Sequence, residues 1–227
     1  MTAKMPDSGT STDTGAEAVA TGRAEIEAIT NERLGERLRE LRLRSGKSLR
    51  ALARELGISA SAVSQIERGT MRPSVSRLIA IVSAIDVPLA AVFDTSETGE
   101  YTATDEGGVP EPPVEGFAVR RSWEVAPVFL DGGVVFRRLS PVPTPDVEFF
   151  ESTYPPGSVS NVHRQFLKHE GYEVGTVTQG ELTIEFESET VTLGAGDSIT
   201  YPCQRPHIVS NRSETATAVA TWLIIHR

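Results

Sequence analysis

Apolar residues recur every three or four positions between Leu34 and Phe93, and from Phe117 onward they alternate with polar ones at a period of two. A helix buries a stripe with the first period and a strand buries a face with the second, so the chain must hold two different cores. Its 227 residues, 39% of them apolar, are enough for both. Between the two lies SETGEYTATDEGGVPEPPVE, Ser96 to Glu115, an acidic stretch with the Gly and Pro content of a partly extended linker. The opening residues are rich in Thr, Ser, Gly and Ala and offer too little apolar surface to offset the entropy of ordering. The expected organisation is a disordered tail over 1–26, a helical domain over 27–95, an acidic linker over 96–116 and a β domain over 117–227.

Charge is divided as unevenly as periodicity. Between Asn31 and Arg77 eleven Arg or Lys stand against five Asp or Glu, in a chain whose net charge is -9. A basic segment on an acidic protein points to a module that touches a polyanion, joined to one that does not. The chain has no run of about 18 apolar residues, and the N-terminal region around Asp7, Ser8, Gly9, Thr10 and Ser11 lacks the apolar core of an export signal. A soluble, cytoplasmic protein without a membrane partner is expected. The single cysteine, Cys203, excludes an internal disulfide and a thiolate cluster.

The helical domain reads as five short helices. Leu34, Leu38 and Leu41 form the buried stripe of the first, which stops near Ser45 and Gly46. Ser48 is the expected N-cap of a second helix closed by Gly57, and Ser59 that of a third, Ala60 to Arg68, ended by Gly69. Pro73 and Ser74 precede a fourth, and Pro88 opens a fifth ending near Phe93. In the third helix Val63 and Ile66 suit the inward side. Ala60, Ser61, Ser64 and Gln65 give the other side small and polar groups suited to base edges in a major groove. Arg50, Arg54, Arg68 and Arg72 surround that side as candidate phosphate contacts.

The stretch from Leu34 to Phe93 resembles the phage-repressor-like, XRE-type helix-turn-helix regulators almost without a gap. The resemblance implies that Ala60 to Arg68 is the recognition helix, with Ser61, Ser64 and Gln65 as base readers and Arg50 on the backbone. It assigns Glu67 a structural role, since a carboxylate facing phosphate would be repelled. One such module covers only a few base pairs, so a homodimer on a two-fold operator is expected.

From Phe117 the alternating segments, Val134–Leu139, Val147–Glu151, Val174–Val177, Leu182–Phe186, Val191–Leu193, Ser198–Tyr201 and Ala218–Ile225, predict a sandwich or barrel of seven or more strands. All four histidines lie here. His169, Glu173 and His207 form a set of two imidazoles and one carboxylate that suits a divalent transition metal, Fe, Zn, Ni or Mn. The alternative is that they hydrogen-bond a small organic effector, or each other, inside an apolar barrel. Leu167, Tyr172, Tyr201, Cys203 and Gln204 flank the same segments and are the candidate lining of an effector pocket. His163 is six residues before His169, about 20 Å on an extended strand, too far for a shared coordination sphere. His226 is expected at the surface.

His169, Glu173 and Gly180, followed by Gly196, Pro202, His207 and Asn211, resemble the two signatures of the cupin superfamily, which implies an all-β double-stranded β-helix, or jelly-roll, barrel. Two positions depart from the pattern. Leu167 stands where the family's first histidine would be, and Gln204 where a glycine would follow Pro202. The two-domain plan resembles bacterial transcription regulators that sense a small molecule, which implies double-stranded DNA and an effector as partners and no catalytic residue. The alternative resemblance is to mononuclear iron oxygenases of the hydroxypropylphosphonate epoxidase type, in which two histidines and one glutamate hold iron.

Overall fold

The computed structural model describes residues 30–93 and 116–226, apart from 125, 143, 145 and 162–165. The expected tail, nearly all of the linker and His163 lie outside the described residues.

The first domain holds four α-helices: α1 over 30–44, α2 Leu49–Glu55, α3 Ala60–Glu67 and α4 Val75–Ala84. Three serines start α2, α3 and α4. The Ser48, Ser59 and Ser74 side chains accept hydrogen bonds from the backbone N–H of Ala51, Ala62 and Arg77 and so satisfy donors that a helix start leaves unpaired. Gly57, at φ +64°, makes the turn between α2 and α3 in a conformation that side-chain-bearing residues rarely adopt. The expected fifth helix is corrected: Leu89–Phe93 is a 3-10 segment. Its Ala91 N–H bonds back to the Pro88 carbonyl, an i to i+3 closure, and five residues after a proline are too few for an i to i+4 ladder.

Helix α1 fixes the end of α3. A Cβ at Gly35 would stand 2.5 Å from the Ile66 carbonyl oxygen, so only glycine permits this approach of the two backbones. Arg42 of α1 and Glu67 of α3 form a buried, two-pronged ion pair, with Arg42 Nη2 2.8 Å from Glu67 Oε2. Arg42 Nη1 also donates to the Lys47 carbonyl at 2.9 Å. The pair therefore ties α3 to both α1 and the turn before α2, which supports the structural reading of Glu67.

Among the described residues the second domain contains nine strands, β1 Val128–Phe129, β2 Val135–Arg138, β3 Val147–Tyr154, β4 Tyr172–Gln179, β5 Glu181–Phe186, β6 Thr190–Gly194, β7 Ser198–Pro202, β8 His207–Ser210 and β9 Ala218–Ile225. They form a six-stranded sheet in the order β1-β2-β3-β9-β4-β7 and a three-stranded sheet in the order β6-β5-β8. The paired strands are antiparallel. The alternation in β9 sends Ala218, Ala220, Trp222 and Ile224 inward, where they meet Phe136, Phe150, Leu182 and Ile184. Trp222 Nε1 donates to Ser152 Oγ at 2.8 Å, so the indole is buried with its polar edge satisfied. Asn211 is a turn residue: its Nδ2 donates to the carbonyls of Tyr154 and Ala216, and its Oδ1 accepts from Ser213 N–H.

The two domains meet along α4. Ser76 N–H donates to the Ser160 carbonyl at 3.3 Å, Asp131 N–H to the Pro73 carbonyl at 3.0 Å and Leu89 N–H to Glu148 Oε1 at 2.6 Å. Val75 and Ile79 of α4 close the end of the barrel. Together with Phe136, Phe150, Tyr154, Trp222, Glu173 and His207 they line a cavity of about 30 Å³.

Replacing Glu67 by Ala leaves Arg42 as a buried charge without its partner. The helical domain should lose about 3 kcal/mol of stability in urea denaturation followed by far-UV circular dichroism. A loss within a few tenths of a kcal/mol would contradict the role given to the pair.

Candidate DNA interface and metal centre

Because α1 and α2 take the Val63 and Ile66 side of α3, the opposite side is left outward. Ser61 and Gln65 are exposed and Ser64 is half-buried, while Ala60 packs partly against the core. Arg50 and Arg54 on α2 and Arg68 at the end of α3 are exposed, and Arg72 is half-buried. This surface is polar and basic at its edges, and Arg72, at its margin, lines a cleft shared with Asp131, Asn161 and Phe166 of the second domain.

The second candidate site is built by backbone pairing between two segments that are distant in sequence. Leu167 and His207 exchange both backbone hydrogen bonds at 3.0 Å, His169 N–H donates to the Cys203 carbonyl and Cys203 N–H to the Gly171 carbonyl. That register brings His169, just before β4, beside His207 at the start of β8, with Glu173 pointing inward from β4 between them. The potential ligand atoms of the three all lie within 4.8 Å of one another. Each side chain is at most 7% exposed. His169 Nε2 is 3.2 Å from Glu173 Oε1, and His207 Nε2 is 3.9 Å from Glu173 Oε2.

The tautomers follow from the outer hydrogen bonds. His169 Nδ1 meets the Glu170 carbonyl at 3.1 Å and His207 Nδ1 meets the Arg205 carbonyl at 2.9 Å. A carbonyl only accepts, so each Nδ1 carries a proton and Nε2 is the nitrogen that each ring turns toward the carboxylate. The Tyr201 hydroxyl donates to Glu173 Oε2. Burial works against ionisation of Glu173, but the hydrogen bond from His169, the charges of His207 and His169, and the Tyr201 bond outweigh it and hold the carboxyl below its usual range. Burial, followed by the Glu173 charge, pushes Tyr154, Tyr201 and Cys203 up, so these groups keep their protons. Two imidazole nitrogens and a carboxylate thus converge on one small space, an arrangement in which a proton or a metal cation can be shared among them.

The other sequence candidates are distributed around this centre. Leu167 lines the small cavity beside Glu173, Cys203 is buried behind the cluster, and Gln204 is exposed with its Nε2 donating to Glu170 Oε2. Tyr172 is exposed, on the face of β4 opposite Glu173. His226 is half-buried rather than fully at the surface and lies 3.4 Å from Glu148 Oε1. Sequence reasoning missed Glu148, buried at the seam with the first domain. Its signal was available: Glu148 is in phase with Phe150, Ser152 and Tyr154 on the inward face of β3, an acid where the alternation calls for an apolar residue.

Known proteins carry the same two parts. Residues 38–92 match the family model described as helix-turn-helix, and residues 150–224 match that of a cupin domain. The chain is 27% identical over 179 residues to the HTH-type transcriptional regulator PuuR of Escherichia coli, spanning 79% of this chain and 88% of the relative. Over 79 residues, 35% of this chain and 69% of the relative, it is 35% identical to the transcriptional regulator ClgR of Mycobacterium tuberculosis. The crystal structure of an HTH_3 family transcriptional regulator from Vibrio cholerae shares the fold at 20% identity and a TM-score of 0.63, covering 88% of this chain and 99% of that one.

The outward side of α3 makes a direct prediction. Against a duplex selected from a random pool, replacing Ser64 and Gln65 by Ala should weaken specific binding at least about tenfold and leave the salt-dependent, sequence-indifferent component unchanged. Equal preference for the selected duplex in both proteins, read by fluorescence anisotropy, would remove α3 from base reading.

Proposed function

Because the chain belongs to the XRE-type helix-turn-helix transcriptional regulators that carry a C-terminal cupin domain, we propose that it binds a specific operator as a homodimer and holds a divalent transition metal at His169, Glu173 and His207. The observation that carries the DNA half is the exposure of Ser61 and Gln65 between exposed arginines, on a helix whose other side is fixed by a buried core and ion pair. In this reading Arg50, Arg54 and Arg68 meet phosphates and set the register, while Ser61, Ser64 and Gln65 meet base edges. A single helix covers too few base pairs for selectivity, and two-fold pairing of chains over adjacent major grooves supplies the rest.

The metal half rests on the convergence of two imidazole Nε2 atoms on one buried carboxylate. The donor set of nitrogen and oxygen fits Fe, Zn, Ni or Mn. A bound ion would supply the positive charge that the buried Glu173 carboxylate lacks. The Nδ1 hydrogen bonds to Glu170 and Arg205 keep both rings oriented for it, and the Tyr201 hydroxyl holds the second carboxylate oxygen. With Val75 and Ile79 over the barrel end, the cavity inside the barrel beside Glu173 and His207 has room for about one water, and the little space for a substrate there favours regulation over the oxygenase alternative.

Because α4 forms part of the wall beside the triad, a change of occupancy there is felt by the helix that follows the recognition helix. A ligand alters DNA affinity only through a difference in its affinity for the two arrangements of the DNA-binding domain.

Titration of metal-free protein with Zn(II) or Fe(II) should give one tight equivalent per chain, weakened more than about a hundredfold in His207→Ala, since losing a ligand exceeds the effect of losing its supporting hydrogen bond. Unchanged affinity in that variant would contradict the metal reading. Oxygen uptake by the Fe(II)-loaded protein with small phosphonates would favour the oxygenase instead.

A further inference from the structure

We infer that the seam between the two domains is a binding site for a small organic cation, an ammonium or guanidinium head on an apolar body, with Glu148 as its principal contact. The barrel interior under α4 has room for about one water, whereas an open cleft of about 880 Å³ runs along the seam outside it. That is the size of pockets that hold metabolites. Both domains build it. Its apolar wall comes from Ile79 and Leu89 on one side and Ile224 on the other, and its acids are Asp86, Asp146, Glu148 and Glu170. Lys168, His169 and His226 also line it, and the four acids outnumber them.

Glu148 is the observation that points to a ligand. It is 5% exposed, its Oε1 accepts from Leu89 N–H at 2.6 Å and lies 3.4 Å from His226 Nε2, and its Oε2 has no hydrogen-bond partner. A carboxylate oxygen buried without a donor is costly, and a cationic head in the cleft would supply one. The strand sets an acid at a position in phase with Phe150 and Tyr154, where an apolar residue would pack without that cost. A metal ion is the poorer occupant. Among the described residues, the one group of three or more His, Cys, Asp or Glu with converging ligand atoms is the triad in the barrel, so the seam offers dispersed carboxylates in place of a coordination sphere. A ligand here would touch α4, the 3-10 segment and the barrel together. It would act as the effector of the proposed regulator; its principal contact, Glu148, is not one of the triad residues, although His169 of the triad also borders the cleft.

The test is calorimetric titration of the full-length protein with hexylammonium, alongside hexanol and hexanoate as neutral and anionic probes of the same body. Hexylammonium should bind one equivalent, at least about tenfold tighter than hexanol, with hexanoate weaker still. Glu148→Gln should cut hexylammonium affinity about tenfold. Should that buried substitution unfold the protein, Asp146→Asn serves instead, because Asn tolerates the φ of +58° at this position; it should cost several-fold. His207→Ala should leave the affinity unchanged. Equal binding of the three probes, absence of binding at millimolar concentration, or indifference to both acidic substitutions would overturn the site. Loss of binding in His207→Ala would put the cation in the barrel and overturn the seam site while leaving the regulator reading intact.

Discussion

Helix α4 is shared between two cores, and the rest of the molecule's behaviour depends on that sharing. Six of its ten residues are buried, more than one face of an amphipathic surface helix would supply, as a helix with partners on two sides requires. It completes the helical domain behind α3 and, through Val75 and Ile79, also closes the barrel beside Glu173 and His207. Hydrogen bonds at Ser76, Pro73 and Leu89 pin it and its flanks to the second domain. A flexible tether alone would let the DNA-binding domain ignore its partner. A shared helix gives the barrel and the seam a mechanical hold on it.

Within the first domain the division of labour is electrostatic. The basic residues were the sequence's clearest signal, yet they play different parts. Arg42 is buried against Glu67 and fixes the angle of α3, Arg77 is half-buried and donates to the Leu56 carbonyl, and Arg50, Arg54 and Arg68 stay in solvent. Net charge could locate the polyanion-binding segment but could not separate these roles, because burial depends on which face of each helix meets the core. The second domain buries acids as well as a base: Glu173 faces two imidazoles, Glu148 lies at the seam beside His226, and Arg138 is buried on the inward face of β2.

The helix starts at Ser48, Ser59 and Ser74 were legible because capping is local chemistry, and the strands Ala218–Ile225 and Leu182–Phe186 because alternation is. Val128–Phe129 and His207–Ser210 were not read as strands: the first is two residues long, and the second is buried at all four positions, so neither alternates. The fifth element was expected as a short α-helix after Pro88, whereas the five residues Leu89–Phe93 form a 3-10 segment. The grouping of His169, Glu173 and His207 was legible through the cupin resemblance, but the Nδ1 partners and the Tyr201 bond come from strand register, which spacing does not specify. Tyr172 lies next to Glu173 in sequence and on the opposite face in space, since neighbours on a strand point apart. Glu148 went unread although its phase in β3 marked it, because its partners, the Leu89 N–H of the other domain and His226 beyond β9, are far from it in sequence.

The central claim is that one shared helix links what the second domain holds to what the first domain binds. Linkage makes this measurable in both directions: the dissociation constant of a selected duplex with and without one equivalent of Zn(II), and that of Zn(II) with and without the duplex, on the same protein. Coupling through α4 predicts that both change by the same factor, several-fold or more, and that the factor shrinks toward one when Ile79 is replaced by Ala. A factor of one in both directions, with each ligand binding tightly alone, would contradict it.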